Sequence, residues 1–287
     1  MTSAEGIRDA LVREVDRSGF GAHGLHVLVG DAVAEHRWTE DVPEEIHSVA
    51  KAVSVLAAGI AHDEGLVSLD VPVVDHVPDI SPGPGVSEIT LRHLLSMSSG
   101  IDLPWSDTMM TDWPDLAHEF LSRPSRGRVF QYSNASTYTA MAVLAARVGD
   151  VREYLEPRLF APLGLSDLEW RRSPRGRILA GEGLSLRTEE MARLGRLIRD
   201  RGEWRGERLV SAEITDAMHS DWVMAGSTPG YDRYALSGWD GPGRTWRLHG
   251  AYGQLIIFHD RAVVTLSAGD HFGADAFASF VAETLER

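Results

Sequence analysis

Residues 1 to 20 alternate charged and apolar positions at helical spacing, which predicts an opening helix with one buried side. Leu25 to Val29 and Ala32 to Trp38 then read as two short strands that turn at Gly30 and Asp31. Residues 48 to 61 run Ser-Val-Ala-Lys-Ala-Val-Ser-Val-Leu-Ala-Ala-Gly-Ile-Ala and stop at Asp63, Glu64 and Gly65. A helix apolar on nearly every side has no face to offer water, so this one is predicted to lie buried. From Leu66 to about Ala180 the pattern is helical, with candidate helices at Leu91 to Ser96, Leu116 to Ser122, Ser136 to Val148 and Val151 to Phe160. Proline- and glycine-bearing loops at 78–85, 104–114 and 124–127 separate them. Thr188 to Arg201 reads as another helix, with Leu194, Leu197 and Ile198 on its apolar side.

Strand-like runs follow at Tyr234 to Trp239, Thr245 to His249, Gln254 to His259 and Ala262 to Ser267, the last two turning tightly at Asp260 and Arg261. An amphipathic helix from Ala274 to Glu286 closes the chain. Strands at both ends and helices between them predict an α/β fold in which an antiparallel sheet flanked by helices is interrupted by an all-helical insertion lobe. The expected organisation is one catalytic domain, its α/β lobe drawn from 1–65 and 181–287 and its helical lobe from 66–180.

Composition narrows the function. A chain of 287 residues can bury a full core and sits near the size at which one core splits into two lobes. The formal net charge of −14 argues against a nucleic-acid partner, because neutralising phosphates takes a basic face. A small molecule or short peptide is the expected partner instead. The longest apolar run, about seven residues from Val55 to Ala61, falls far short of a membrane span. The first residues lack the basic start and apolar centre of an export signal, so a cytoplasmic location is expected. With no cysteine there is neither a disulfide framework nor a thiolate nucleophile. Twelve histidines without HExxH spacing, and no phosphate loop or dinucleotide fingerprint, lead us to expect neither metal nor cofactor.

One detail of the charge is more telling than its total. Among 28 basic residues Lys51 is the sole lysine. A guanidinium cannot lose its proton at working pH and an ammonium can, so the exceptional lysine marks a place where deprotonation is useful. Ser48 lies three residues before it, on the same helix face one turn away. Burial without a carboxylate partner and a position near a helix N-terminus both favour the neutral amine, which can then act as base towards the serine hydroxyl. The competing reading makes Ser48 a helix cap and lets Lys51 extend to water.

Two further segments carry chemistry. In Tyr132-Ser133-Asn134, preceded by the strand-like Val129 to Gln131, a phenol is available to shuttle a proton and an amide to hold the lysine and the substrate. A core tyrosine and a capping asparagine are the alternatives. His249-Gly250-Ala251-Tyr252-Gly253-Gln254 enters a strand with little side chain at 250, 251 and 253, as expected where a substrate backbone comes close. Backbone N–H groups of Ser48 and Tyr252 would then form an oxyanion hole. The alternative is a β-bulge with a partly buried histidine.

Taken in this order, SxxK, YxN and the His249-Gly250 pair resemble the serine penicillin-recognising family of class C β-lactamases, D-peptidases and related esterases. Asp63 to Asp70, Leu91 to Ile101 and Pro162 to Leu165 are similar to familial segments, and the resemblance covers about residues 24 to 270. It implies a sheet lobe beside a helical lobe with the site between them. Ser48 would be the acylated nucleophile, Lys51 and Tyr132 the proton carriers, and Asn134, His249, Gly250, Ala251 and Tyr252 the substrate-binding residues. His249 replaces the lysine of the β-lactamases, and a histidine of ordinary pKa, mostly neutral at pH 7, is a poor anchor for a β-lactam carboxylate. The expected activity is therefore hydrolysis of a small ester or amide through an acyl-enzyme. A transacylase using the same residues, or an inactive binding protein, are the alternatives. Trp105, Met109, Met110 and Trp113 are candidates for an acyl pocket wall, against ordinary core packing, and Glu182 for a substrate-facing carboxylate, against a solvated one.

Overall fold

The computed structural model describes residues 3–77, 80–109, 113–166, 168–228 and 230–287. Its centre is an eight-stranded sheet. The strands are β1 (Ala22–Val29), β2 (Ala32–Arg37), β3 (Val223–Met224), β4 (Arg233–Tyr234), β5 (Trp239–Asp240), β6 (Trp246–His249), β7 (Leu255–His259) and β8 (Ala262–Ala268). Their order is β2-β1-β8-β7-β6-β5-β4-β3, with every neighbouring pair antiparallel. Among the described residues the five helices of twelve residues or more are α1 (Ala4–Ser18), α2 (Ala50–Asp63), α3 (Asn134–Val148), α4 (Thr188–Arg199) and α5 (Ala274–Glu286).

The period-two alternation of the central strands feeds two cores. Leu255 and Ile257 of β7 point to one face, where they meet Ile7, Leu11 and Val15 of α1 and Phe277, Val281 and Leu285 of α5. Ile256 and Phe258 point to the other, joining Met191, Leu194 and Leu197 of α4 and the buried helix α2. This second core continues through α3 and the short helices of residues 66–180 without a break. The sheet is thus covered on both faces, which is why its central strands read as apolar runs.

Helix α2 is buried from Ala50 to Ala61. A methyl group on Gly59 would meet Ile214 at 2.6 Å, so the glycine lets the helix Ala212–Ala217 pack directly against it. Three expectations need correction. The run Tyr234 to Trp239 is two strands, because Ser237, at φ 66°, and Gly238 fold it into a turn that pairs Tyr234 with Trp239. Val129 to Gln131 forms no strand, although its backbone bonds to Gly100 and Met97. The helix Val151 to Phe160 gives way to a π-helical turn at Glu156–Phe160, where Pro157 has no N–H for the α pattern. Among the described residues no helix is long and apolar enough to cross a membrane.

Candidate active site

Ser48 lies on a single 3-10 turn, His47–Val49, that leads directly into α2. It caps nothing: α2 starts after Val49 without any side-chain cap. Its hydroxyl instead accepts a hydrogen bond from Lys51 Nζ at 3.0 Å. Lys51 does not reach water either, being 2% exposed. Both competing readings of the pair therefore fail: Ser48 lies inside the 3-10 turn ahead of the helix, and Lys51 lies on the buried part of α2. His47 adopts φ 47° to make the turn, a conformation that costs a non-glycine residue about 1–3 kcal/mol.

The lysine amine has three partners. Besides Ser48 Oγ, it donates to Asn134 Oδ1 at 2.6 Å and to the Gly181 carbonyl at 2.9 Å. Asn134 begins α3 but does not cap it; its Nδ2 donates to the Glu182 carboxylate at 3.0 Å. A carboxylate can only accept, so the amide must turn its NH2 to Glu182 and its oxygen to Lys51. Glu182 is half-buried and works through this contact, rather than as a solvated loop residue. The segment carrying it is itself fixed: Ser54 of α2 donates to Ala180 O at 3.0 Å, and the Glu45 carboxylate accepts from Gly183 N–H at 2.9 Å. At Gly181 a methyl group would lie 3.0 Å from Asn134 Oδ1 and 3.1 Å from Lys51 Nζ. Glycine is needed there by the closeness of the lysine.

The Tyr132 ring centre is 4.9 Å from Lys51 Nζ. Its other neighbours are aromatic: Trp239 at 5.6 Å and Tyr234 at 5.8 Å. Trp239 also contacts Tyr231 at 5.0 Å, and Tyr231 lies 5.8 Å from His249. A continuous aromatic wall thus runs from the lysine to the end of β6. Nothing in the sequence pattern pointed to Tyr231, Tyr234 or Trp239, because they come from turns and two-residue strands.

His249 ends β6 two residues beyond the last one paired with β5. Burial, reinforced by Arg247, pushes its pKa down to about 4. The expectation of an ordinary histidine, titrating near neutrality, is therefore corrected: the ring is neutral throughout the physiological range. The loop after it leaves the sheet as a tight turn, Ala251–Gly253, with Tyr252 left-handed at φ 65°, and does not form a bulge. Gly250 is bare because a methyl group there would strike Ile46 O at 2.5 Å. Its smallness lets the strand press on the turn that carries Ser48, which is a different reason from the substrate approach expected above. Ser48 is the second residue of its 3-10 turn and Tyr252 the second of this tight turn, and neither N–H has an acceptor within its own turn. Ala251 and Tyr252 are exposed, and the Tyr252 ring lies 5.1 Å from His47.

Of the acyl-pocket candidates, Trp113 is the one whose side chain is described, and it is not among the neighbours of this cluster. Trp113 packs against the helical core with Arg123 over its ring at 5.7 Å. Trp105 and Met109 belong to a short helix, Trp105–Met109, and Met110 lies outside the described residues.

Comparison with known proteins agrees with the fold. The monacolin J acid methylbutanoyltransferase of Aspergillus terreus is 26% identical over 168 residues, 49% of this chain and 41% of that enzyme. The lovastatin esterase of Penicillium rubens is 25% identical over 152 residues, 43% of this chain and 38% of that enzyme. The chain thus spans less than half the length of these curated relatives. Among solved structures, the D-amino acid amidase of Ochrobactrum anthropi SV3 superposes with a TM-score of 0.72 at 18% identity, covering 98% of this chain and 97% of that one. The Beta-lactamase family model matches residues 13–283, nearly the whole chain. The chain belongs to the Beta-lactamase family.

Proposed function

We propose that this protein is a serine hydrolase that cleaves a small ester or amide through an acyl-enzyme on Ser48. The observation that carries the reading is the set of partners around Lys51 Nζ. Asn134 Oδ1 and Gly181 O can only accept, whereas the Ser48 hydroxyl can accept or donate. A charged amine fills all three contacts as donor. A neutral amine keeps its two N–H bonds on the carbonyl oxygens and turns its lone pair to the serine proton. The proton can therefore pass between Ser48 and Lys51 without any heavy atom moving, and a positioned base of this kind is worth about 10²–10⁴-fold in rate.

In this mechanism Ser48 Oγ attacks the carbonyl carbon as its proton passes to Lys51. The Ser48 and Tyr252 N–H groups stabilise the oxyanion, and Tyr132 hands the proton on to the leaving group. Water then attacks the acyl-enzyme and frees the acid, restoring the Ser48 hydroxyl. The transferase and esterase relatives support acyl transfer in general, and the acceptor is read from the products. The test is intact-protein mass after exposure to a fluorophosphonate, with turnover of p-nitrophenyl butyrate. Wild type should gain one adduct on Ser48, and Ser48→Ala should lose labelling and at least about a thousandfold in rate. An unlabelled wild type would favour a binding protein, and an alanine variant with most of the wild-type rate would remove Ser48 from the mechanism.

A further inference from the structure

Behind His249 lies a chain of polar contacts that the acyl-transfer chemistry does not use. Arg247, whose side chain is 2% exposed, donates from Nη2 to Asp275 Oδ1 at 2.9 Å. The Tyr231 hydroxyl donates to the same carboxylate oxygen at 2.7 Å and lies 3.0 Å from His249 Nδ1. The guanidinium also covers the Tyr231 ring, with Cζ 4.8 Å from its centre. The residues come from β6, from the loop before β4 and from the first turn of α5, so the fold assembles them and no local motif does.

Counting protons fixes the hydrogen on Nδ1, and burial beside Arg247 keeps the ring neutral. A phenol has one proton, and burial holds the Tyr231 pKa well above its ordinary value, so the proton stays. The Asp275 carboxylate, paired with Arg247, can only accept, and it takes that proton. The Tyr231 oxygen then has only lone pairs to offer His249, so the 3.0 Å contact requires a hydrogen on Nδ1. A neutral imidazole with its hydrogen on Nδ1 has a bare lone pair on Nε2. Nε2 makes no hydrogen bond among the described residues, and the side chain keeps 13% of its surface open. The groups that act on the ring from outside are Arg247 on its own strand, Asp275 on α5 and His271 on the preceding loop; burial first and Arg247 second outweigh the acid.

We propose that His249 selects substrates as an uncharged hydrogen-bond acceptor: Nε2 receives an N–H or O–H of the acyl group, and Arg247, Asp275 and Tyr231 act as positioning residues that hold the ring in that tautomer. The inference rests on the acyl-enzyme reading and names its substrate class, an acyl donor carrying a hydroxyl or amide N–H and no carboxylate near the scissile bond. A carboxylate in that place would face a lone pair, not a cation.

The test has two arms. In protein labelled with ¹⁵N-histidine, the His249 nitrogens are assigned by their loss in His249→Gln, and their shifts report the tautomer. The expected result is an Nδ1–H ring that does not titrate from pH 5.5 to 8, and a shift towards Nε2–H in Tyr231→Phe. In the second arm, p-nitrophenyl 3-hydroxybutyrate and the p-nitrophenyl monoester of succinic acid are compared on wild type, and kcat/KM should favour the hydroxy ester by about tenfold or more. An Nε2–H or titrating ring in wild type, an unchanged ring in Tyr231→Phe, or equal use of the two esters would overturn the proposal. If Tyr231→Phe does not fold, the wild-type spectra and the ester pair still decide it. Failure of fluorophosphonate labelling would instead indict the acyl-enzyme reading, and the spectra are independent of that outcome.

Discussion

Gly181→Ala perturbs the site at a place where no substrate-binding group is removed. The new methyl carbon would sit 3.0 Å from Asn134 Oδ1 and 3.1 Å from Lys51 Nζ. Both are closer than ordinary contact, so the amine or the loop must yield by a few tenths of an ångström. The loop is held by Ser54 on one side and Glu45 on the other, and the lysine is free to give way at its last torsion angles. The 3.0 Å contact to Ser48 Oγ is what absorbs the shift. A misplacement of about 1 Å can cost about 10²-fold, so a few tenths should cost about tenfold. Stability should change little. Removing a glycine restricts the unfolded chain by about 0.4–1 kcal/mol, which offsets part of the crowding. The net change should stay within about 1 kcal/mol, or roughly 2–4 °C in Tm. The assay is kcat and KM for p-nitrophenyl butyrate beside a thermal melt, with Gly226→Ala as control because a methyl group there meets nothing within 4 Å. The expected outcome is a tenfold fall in kcat with KM and Tm nearly unchanged. Wild-type kcat in Gly181→Ala would show that the lysine position is not critical, and a Tm loss above about 8 °C would show that Gly181 serves the fold first.

Three further outcomes follow from the same structure. Lys51→Arg should be as inactive as Lys51→Ala, because guanidinium cannot take the serine proton, and near wild-type turnover would reduce the lysine to a fixed charge. The kcat/KM for simple esters should exceed that for nitrocefin, and mild acidification from pH 8 to 5.5 should not rescue nitrocefin through His249, since burial and Arg247 keep the ring neutral over that range; a nitrocefin rate that climbs as the pH falls, relative to the ester rate, would contradict this. Stability should fall with acid between about pH 6.5 and about pH 4, because the unfolded chain protonates His249 there and the folded chain does not. The effect reaches about 2 kcal/mol by pH 5, and His249→Gln should flatten that part of the urea-midpoint profile; His26, His47, His93 and His259, also depressed mainly by burial, add to it with the same sign.

Much of the architecture was legible along the chain because it rests on periodicity. The apolar runs of α2, β7 and β8 and the two tight hairpins are local signals, and the fold uses them as read. The lone lysine three residues after a serine was equally visible, since one helical turn guarantees that the two side chains meet. What periodicity cannot carry is the convergence of distant segments. Gly181 and Glu182, 130 and 48 residues in sequence from the groups they hold, give no sign of those contacts. The same is true of Tyr231, Arg247 and Asp275, which meet only because the fold brings β6, the loop before β4 and the first turn of α5 to one point. The state of His249 is the clearest case. Its residue type suggests titration near pH 6.5, but its charge depends on how much water and which cation surround it, and packing sets both.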